Sequence, residues 1–210
     1  MKRSIKSWED DCVTTRRSKN FRKRRLKLFG IKKSDRVLDL GCGDGLNTQI
    51  LTEIGVRDVV GLDISKNLLS KASKNNPKII FIRASAEKMP VFRRKFNVVL
   101  VDSVLHHLKR YDKALMEINK VLLPSGYLCF IEPRRLTLRK LYDFICSLPI
   151  SGYIPFLRER SRSYLGEKDI MEHWLRTEEV FFKDLNKFFI KCFLKLDLLS
   201  YIGKFRKRKL

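Results

Sequence analysis

The stretch that decides the fold is VLDLGCGDGLNTQIL, residues 37–51. A run of aliphatic residues leads into three glycines spaced Gly41-x-Gly43-x-Gly45, and a helical pattern follows them. Glycine allows a tight turn and lets a ligand approach the backbone closely. A strand, a glycine-rich turn and a helix in this order are typical of a nucleotide-type site in a doubly wound sheet.

The spacing of these glycines argues against a phosphate loop. Leu46 stands where the dinucleotide fingerprint GxGxxG needs its last small residue, and the GK[ST] of a P-loop does not follow. A tight turn without a ligand is also disfavoured, because three glycines cost backbone entropy that a plain turn does not require. We therefore expect the loop to bind a ligand other than a pyrophosphate.

The middle of the chain alternates strand-like and helix-like patterns from Arg36 onward. Five short runs are rich in aliphatic residues, namely RVLDL, DVVGLD, KIIFIR, FNVVLVD and YLCFIE. Such runs fit the strands of a parallel sheet that is covered on both faces. Apolar residues recur at helical spacing over residues 111–122, and Ser65 is an expected helix N-cap. The alternation predicts an α/β fold with a doubly wound sheet.

The two ends of the chain differ from this middle. Residues 1–35 are predicted to be a basic extension with a helix over 18–29, and residues 36–210 to be the α/β domain. Residues 134–175 contain prolines, glycines and aromatic residues without a clean period, so we expect an inserted segment there. Thr177 is predicted to begin a further helix, and the final IKCFLKLDLLSYIGKF to form an antiparallel hairpin at the sheet edge.

Composition limits the partners and the compartment. The formal net charge of +23 suggests RNA, a membrane surface or acidic metabolites as partners, and most of it lies in residues 1–36 (+10) and 134–210 (+9). A solvated basic surface without such a partner is the alternative for both flanks. The five cysteines form no CxxC or Cys/His cluster, which favours reduced thiols and argues against a structural metal. The sequence shows no signal peptide and no apolar run of about 18 residues. We expect a cytoplasmic protein, with peripheral contact to an anionic membrane left open.

Asp63 stands at the end of the second predicted strand, in the segment GLDIS. A carboxylate at this position can accept hydrogen bonds from both hydroxyls of a ribose. A lone aspartate here is more often a helix cap or a surface residue. In combination with the glycine loop, contact with a ribose is the favoured interpretation.

Five segments in order resemble the class I S-adenosylmethionine-dependent methyltransferases. They are VLDLGCGDG, GLDIS, ASAEKMPV, FNVVLVDSVLHHL and LLPSGYLCFIEP, and they cover about residues 36–133. In that family the sheet has seven strands and the last is antiparallel, which is similar to the hairpin predicted above. The resemblance implies a Rossmann-like, seven-stranded, mainly parallel sheet with an inserted substrate lid after strand 5, over residues 134–175. It also implies S-adenosyl-L-methionine as the cofactor, and no metal.

The resemblance assigns cofactor-binding positions in this sequence. They are Asp39, Gly41, Cys42, Gly43, Asp63, Ile64, Ser85, Ala86, Glu87 and Val101. Asp39, Gly41 and Gly43 would line the methionine end. Asp63 would hold the ribose, and Ile64 would pack on the adenine.

The segment that would contact the adenine edge departs from the family pattern. Ser85 stands where an aspartate commonly binds the adenine amino group. A serine hydroxyl can accept the same hydrogen bond, but without the assistance of a negative charge. We therefore expect Ala86, Glu87 or the neighbouring backbone to share this contact.

The segment VDSVLHHL would form the rim that faces the reacting methyl group. Asp102, as a carboxylate near a sulfonium, and His106, as a base or an orienting group, are the candidate catalytic residues. A structural role is an equal alternative for His106 and is favoured for His107, and His173 is expected to be an ordinary helix residue. In-line methyl transfer depends mainly on alignment, so no base is required.

The acceptor is narrowed by what the sequence lacks. The (D/N)PP(Y/F/W) motif of nucleobase amino-methyltransferases is missing, and so is the Pro-Cys pair of pyrimidine C5 enzymes. Glu132 and Pro133, together with LHHL, resemble small-molecule and lipid-pathway members, including the quinone C-methyltransferases. We therefore expect a small-molecule or lipid-linked acceptor. An RNA methyltransferase or RNA-binding protein that uses the basic termini is the alternative, and a non-catalytic cofactor-binding module is a third.

The inserted segment bears on the same question. Residues 141–157 hold a single charge, Asp143, and are bracketed by arginine-rich stretches. Three readings stay open for them: core packed onto the sheet edge, an apolar lid over the substrate pocket, or a segment that dips into a membrane interface.

Overall fold

The computed structural model describes residues 16–134, 148, 155–197 and 200–209. The helices are α1 (Arg16–Lys27), α2 (Leu46–Glu53), α3 (Lys66–Asn75), α4 (Tyr111–Val121) and α5 (Pro155–Phe188), and a 3₁₀ helix covers Leu105–His107. The strands are β1 (Arg36–Leu40), β2 (Asp58–Asp63), β3 (Ile80–Arg83), β4 (Phe96–Asp102), β5 (Leu122–Pro133), β6 (Phe189–Leu196) and β7 (Ser200–Lys207).

The strands form one sheet in the order β3-β2-β1-β4-β5-β7-β6. The pairs among β1 to β5 are parallel, and β7 is antiparallel to both β5 and β6. The predicted seven-stranded, doubly wound sheet with an antiparallel last strand is confirmed. The winding reverses between β1 and β4, and ligands of such sheets bind at the carboxyl ends of the strands beside this point.

Both faces of the sheet are covered, as the aliphatic runs predicted. Alternate residues of a strand point to opposite faces. In β1, Leu38 and Leu40 belong to one hydrophobic cluster and Val37 to the other. In β4 the same division separates Val99 from Val98. The central strands are therefore fixed from two sides, which holds their carboxyl ends in place.

Helix α1 packs on the second of these clusters. Leu26 and, just beyond the helix, Phe29 are buried with Val37 of β1 and Ile202 of β7. The helix expected over residues 18–29 is found about two residues earlier. The division of the chain into an extension, residues 1–35, and a domain, residues 36–210, stays a prediction.

Helix α5 corrects one expectation. Thr177 does not begin a helix, because α5 already runs from Pro155. The Thr177 hydroxyl donates to the carbonyl oxygen of His173 at 2.9 Å, so it bonds back into the preceding turn instead of capping a new helix. His173 is an exposed residue of this helix, as expected. Phe181 and Leu185, on one face of α5, are fully buried in the first cluster.

About half of the segment expected to be a lid lies outside the described residues. Residues 155–175 belong to α5, where Met171 and Trp174 are buried in the core. The lid over residues 134–175 therefore stays a prediction, and so do the three readings of residues 141–157.

Three further findings concern membranes, metals and thiols. Within the described ranges, no helix is both long enough and apolar enough to cross a membrane. The same residues contain no group of three or more His, Cys, Asp or Glu side chains that could hold a metal ion. Cys42, Cys129 and Cys192 are free thiols, and Cys12 and Cys146 lie outside the described residues.

Candidate active site

The glycine loop after β1 is held tightly against β2. Gly41 has a φ of +73°, and a Cβ added there would lie 2.2 Å from Cγ2 of Val104. The backbone N–H groups of Gly41 and Cys42 both donate to the carbonyl oxygen of Leu62, at 2.7 and 3.0 Å. Only glycine adopts this conformation in this space without strain, so the first glycine fixes the path of the loop.

Gly43 has a different environment. Its φ is +55°, but a Cβ added there would have no neighbour closer than Cδ1 of Leu68 at 4.0 Å. Its N–H donates to Oδ2 of Asp63 at 2.9 Å, and Oδ1 of the same carboxylate accepts from the N–H of Ser65 at 2.8 Å. The loop and the end of β2 are thus joined through one buried carboxylate, next to backbone that a ligand can approach.

Asp39 lies at the carboxyl end of β1 and is almost fully buried. Its Oδ2 accepts from the Thr48 hydroxyl at 2.5 Å, whereas its Oδ1 has no hydrogen-bond partner. Burial raises the pKa of this carboxyl to about 7; the hydrogen bond from Thr48 opposes the shift and the charge of Asp102 adds to it. Asp39 is therefore an acceptor that gains from an added donor or positive charge.

Asp102, at the carboxyl end of β4, is the centre of a polar network. Its Oδ2 accepts from Nη1 of Arg22 at 2.7 Å and from Nδ2 of Asn47 at 3.1 Å. Its Oδ1 accepts from the Ser103 hydroxyl at 3.1 Å. Oδ1 of Asn47 is buried and, like that of Asp39, has no partner. Residues from α1, α2 and β4 thus meet beside the glycine loop.

The rim after β4 is strained and clamped. Ser103 has a φ of +62°, which is rare for a residue with a side chain and is often found at functional sites. Glu132, at the end of β5, accepts from the N–H groups of Val104 at 2.9 Å and Leu105 at 2.8 Å. One buried carboxylate therefore fixes the backbone of the rim.

The two histidines of the rim are oriented by this carboxylate and by each other. Nδ1 of His106 lies 2.7 Å from Oε2 of Glu132, and its side chain is only 4% exposed. The His107 ring packs on it with centroids 4.1 Å apart. Burial lowers the pKa of His107 to about 3, with a further contribution from His106. His107 is therefore neutral near pH 7.

The segment that would contact an adenine follows β3, where the N–H of Ala84 donates to the carbonyl oxygen of Asp63 at 3.0 Å. Ile64 is 49% exposed although it directly follows buried Asp63. The Ser85 hydroxyl accepts from the N–H of Glu87 at 3.2 Å, while Ala86 is buried. The exposed isoleucine offers an apolar surface, and the serine turn offers polar atoms beside it.

Two further positions that the resemblance assigns to the cofactor site, Cys42 and Val101, are buried. Cys42 is buried in the loop, and burial raises the pKa of its thiol far above the ordinary range, so the thiol stays protonated. Val101 is fully buried in β4, next to Leu40 of β1. Both therefore shape the site by packing.

Comparison with known proteins is consistent with this geometry. A family model described as a methyltransferase domain matches residues 38–130, which include the glycine loop, Asp63 and the rim. The relatives that match the chain are named methyltransferases as well. The chain thus contains a methyltransferase domain, and its sheet has the strand order of the class I S-adenosylmethionine-dependent methyltransferases.

Two curated relatives of this methyltransferase are both named demethylmenaquinone methyltransferase. A demethylmenaquinone methyltransferase of Oceanobacillus iheyensis is 27% identical over 92% of the chain and 84% of its own length. One of Staphylococcus aureus is 31% identical over 68% of the chain and 64% of its own length. A third relative, the demethylmenaquinone methyltransferase of Chlorobaculum tepidum, is 32% identical over 58% of the chain. The chain spans about half (51%) of the length of that relative.

Solved structures share the fold of the methyltransferase. A protein of Pyrococcus horikoshii OT3 has a TM-score of 0.69 at 21% identity, covering 95% of this chain and 94% of that one. The N-methyltransferase NodS of Bradyrhizobium japonicum WM9, in complex with S-adenosyl-L-homocysteine, has a TM-score of 0.61 at 16% identity, covering 99% and 94%. At these identities the likeness shows the fold alone.

Three residues of the candidate site were not predicted from the sequence. Arg22 was one of many cations in the basic α1 sequence, and nothing near it pointed to Asp102. Asn47 lies two residues beyond Gly45, so its place at the start of a helix behind the glycine loop was a usable signal. The left-handed φ of Ser103 had no signal in the sequence.

Proposed function

We propose that this methyltransferase transfers a methyl group from S-adenosylmethionine to a small-molecule or lipid-linked acceptor. The observation that supports this most is the pair of buried oxygen atoms without partners, Oδ1 of Asp39 and Oδ1 of Asn47. Buried acceptors in folded proteins nearly always have a donor. A ligand that brings an N–H group to this point supplies it.

The residues present fit the proposed cofactor. Its ammonium group has three donors, which suit Asp39 and Asn47. Its charged groups are two positive and one negative, and the site contains the carboxylates of Asp39, Asp63 and Asp102. Opposite charges attract strongly where water is excluded. We propose that Asp63 accepts hydrogen bonds from the ribose and that Ile64 covers one face of the adenine.

The adenine edge completes the proposed cofactor site. We propose that Ser85, Ala86 and Glu87 contact this edge through side-chain and backbone atoms. Gly41 and Gly43 shape the methionine end, and Cys42 and Val101 close it by packing. The half-exposed Ile64 supports the assignment, because an apolar side chain of this size gains from being covered.

The chain's own contribution to methyl transfer is alignment. When bound, S-adenosylmethionine supplies a methyl group that is already activated by a sulfonium. Holding the acceptor in line with that group can contribute roughly 7 to 11 kcal/mol, more than a general base usually does. The rim fixed by Glu132 is the part of the chain that would hold the acceptor in place.

We propose different roles for the two candidate catalytic residues. Asp102 lies at the carboxyl end of β4 and would stabilise positive charge on the cofactor electrostatically. His106 is buried and its Nδ1 is engaged by Glu132, so it would act as a positioning residue for the rim rather than as a base. A pH profile of the single-turnover rate separates these roles, because a base at His106 adds an ionisation that is lost in His106→Asn.

The acceptor class is supported by the relatives. They are named demethylmenaquinone methyltransferases, so a demethylated isoprenoid quinol is the first acceptor to test. An acceptor of this kind resides in a membrane, and a basic protein is attracted to an anionic bilayer surface. We therefore propose that the protein works in the cytoplasm and contacts the membrane peripherally.

The destination of the methyl group tests the proposal. The protein is incubated with methyl-labelled S-adenosylmethionine and an extract of its host, and the lipid, small-molecule and RNA fractions are separated. Label in the lipid or small-molecule fraction supports the proposal, and demethylmenaquinol is then supplied as a pure acceptor. Label in RNA supports the RNA methyltransferase instead. No label in any fraction contradicts an enzymatic role and favours a cofactor-binding module.

A control variant makes this experiment specific. Asp63→Asn keeps the size of the side chain but removes the charge that orients the loop and would hold the ribose. The labelled fraction should disappear with this variant. If labelling persists unchanged, the activity belongs to another site or to a contaminant.

A further inference from the structure

Arg22 reaches across the molecule to the candidate cofactor site. It lies in α1, 80 positions before its partner Asp102, and its Nη1 is 2.7 Å from Oδ2 of that residue. Its side chain is still 34% exposed, whereas that of Asp102 is 3% exposed. The guanidinium therefore joins the buried network from its outer side.

We propose that Arg22 leaves Asp102 when the cofactor binds and pairs with the carboxylate of the cofactor's amino-acid end, so that α1 closes over the site. This inference rests on the proposed cofactor. It gives the basic helix α1 a function that does not depend on contact with a membrane or with RNA.

The charges around the site require a cation for such a ligand. Asp39 and Asp102 influence each other electrostatically, and so do Asp39 and Asp63. A carboxylate that enters beside three carboxylates is repelled, although the ammonium on the same ligand is attracted. Arg22 is hydrogen-bonded to this cluster and has donors in a planar fork, which can bind a carboxylate through two parallel bonds.

Asp102 does not depend on Arg22 alone. After the proposed exchange it keeps the hydrogen bonds from Asn47 and from the Ser103 hydroxyl. Arg25 lies one turn further along α1, and its Nε is a buried donor without a partner. Burial lowers the pKa of Arg25, and the charge of Asp102 is the largest opposing influence. A second cation thus stays near Asp102 when Arg22 turns to the ligand.

The way α1 is attached suits a movable cover. Its C-terminal end is anchored by buried Leu26 and by Phe29. Its earlier turns are attached by ion pairs, Arg22 with buried Asp102 and Lys19 with the partly exposed Glu53 at 2.6 Å. The partly exposed Lys19–Glu53 pair contributes little stability, and the ligand's carboxylate would replace Asp102 as the partner of Arg22, so this end of the helix can open while the other end stays docked.

A pair of ligands tests the proposal directly. Binding of S-adenosylhomocysteine and of its decarboxylated analogue, which keeps the ammonium but lacks the carboxylate, is measured by calorimetry. Arg22→Gln should weaken binding of S-adenosylhomocysteine roughly ten- to hundredfold and that of the analogue by less than about twofold, because a charged hydrogen bond to the ligand is lost. Arg24→Gln, an exposed position on the same helix, removes the same charge and should change neither affinity.

Three outcomes would overturn the proposal. Equal weakening of both ligands means that Arg22 only supports the fold, and no weakening means that it does not contact the carboxylate. If the unmodified protein binds neither ligand, the proposed function fails and this inference fails with it. If the unmodified protein binds both ligands and either of the first two outcomes is found, this inference is overturned and the proposed function stands.

Hydrogen exchange of the whole protein distinguishes closure of α1 from a purely structural role of Arg22, because a structural role would not make the protection of α1 depend on the ligand's carboxylate. S-adenosylhomocysteine should slow amide exchange in residues 16–24 of the unmodified protein, and the decarboxylated analogue should not. In Arg22→Gln neither ligand should slow it. Equal protection by both ligands would contradict closure through the carboxylate.

Discussion

The carboxyl ends of β1 and β2 are built differently from those of β4 and β5. On the first side the glycine loop is held by backbone hydrogen bonds to Leu62 and by Asp63, all within about 25 residues of sequence. On the second side the rim is held by Glu132, which binds backbone groups 26 to 28 positions earlier. The proposed cofactor side is thus marked in the sequence by the glycines of its turn, whereas the rim turns at Ser103 and its pairing with Glu132 is seen only in the structure.

Replacing Asp63 should have the largest effect and should be confined to the cofactor side. Asp63→Ala removes the acceptor that orients the Gly43 N–H and would hold the ribose. We expect affinity for S-adenosylhomocysteine to fall more than about 100-fold in calorimetry, because several hydrogen bonds to one charged group are lost. Asp58→Ala, at the other end of β2, is the matched control and should bind normally. Unchanged affinity in Asp63→Ala would disprove the site assignment.

Two glycine variants distinguish the structural glycine of the cofactor side, Gly41, from the glycine that a ligand can approach, Gly43. Gly41→Ala forces a Cβ to within 2.2 Å of Val104 at a φ of +73°, so the free energy of unfolding should fall by about 2 to 3 kcal/mol. Gly43→Ala meets no close neighbour and should cost only about 1 kcal/mol from strain. Its affinity for the cofactor should nevertheless fall, because the methyl group would occupy the ligand's approach. Chemical denaturation and calorimetry on both variants check this; equal stabilities would contradict it.

Replacing Glu132 should affect the rim and spare the cofactor side. In Glu132→Gln one oxygen can still accept, but the NH2 group that replaces the other faces either the rim's N–H groups or Nδ1 of His106, so the clamp is weakened and loses its charge. We expect kcat for the acceptor to fall roughly tenfold while affinity for S-adenosylhomocysteine changes by less than about twofold. A loss of cofactor affinity as large as the loss of kcat would show that the two sides are not independent.

The pH dependence of cofactor binding tests the role of Asp39. Its pKa in the free protein is raised to about 7, and an ammonium beside it favours the ionised form. Binding should therefore strengthen as pH rises from 6 to 8, by about tenfold at most, and should release a proton near pH 6.5. The groups that face Asp39 are the Thr48 hydroxyl, the carboxylates of Asp63 and Asp102, and the Arg22 guanidinium.

The same ionisation has an opposite effect on the free protein. Because the folded pKa of Asp39 lies above its ordinary value of 3.8, the stability that it contributes is fully present below about pH 4 and is lost as pH rises through about 7. Thermal unfolding with and without S-adenosylhomocysteine should show this, the ligand's stabilising effect growing with pH. Asp39→Asn should remove the dependence, and its persistence there would assign it to another group.

The smallest effect on cofactor binding is expected at the junction of α5 and β5. Nε1 of Trp174 donates to the carbonyl oxygen of Pro133 at 2.7 Å, at the end of the strand that carries Glu132. Trp174→Phe removes this bond and leaves a cavity in place of part of a fully buried indole, so the free energy of unfolding should fall by about 2 to 3 kcal/mol. Cofactor affinity should not change, and calorimetry on the variant checks this. A marked loss of affinity would show that α5 supports the cofactor side as well.

Prediction from sequence worked where a residue's neighbours in the chain decide its structure. The boundaries of β1, β2 and β4 are those of the predicted aliphatic runs, because a strand covered on both faces must be apolar at nearly every position. Ser65 caps α3 through a hydrogen bond from the N–H of Leu68, as its residue type predicted. The predicted start of a helix at Thr177 was wrong, because α5 already runs from Pro155 through residues that show no clean apolar period in the sequence.

The sequence by itself determined the class of sheet, the glycine loop and the place of Asp63, because periodicity and backbone freedom act between residues close in the chain. Only the tertiary structure decided that Arg22 meets Asp102 and that Glu132 holds His106 and the rim. These contacts join positions 80 and 26 residues apart. The second exists because the strand order places β4 beside β5, and the first because α1 packs on the cluster that includes Val37 of β1. A charge pattern in a sequence predicts that charged side chains have partners, but the packing of the helices and strands decides which residues those partners are.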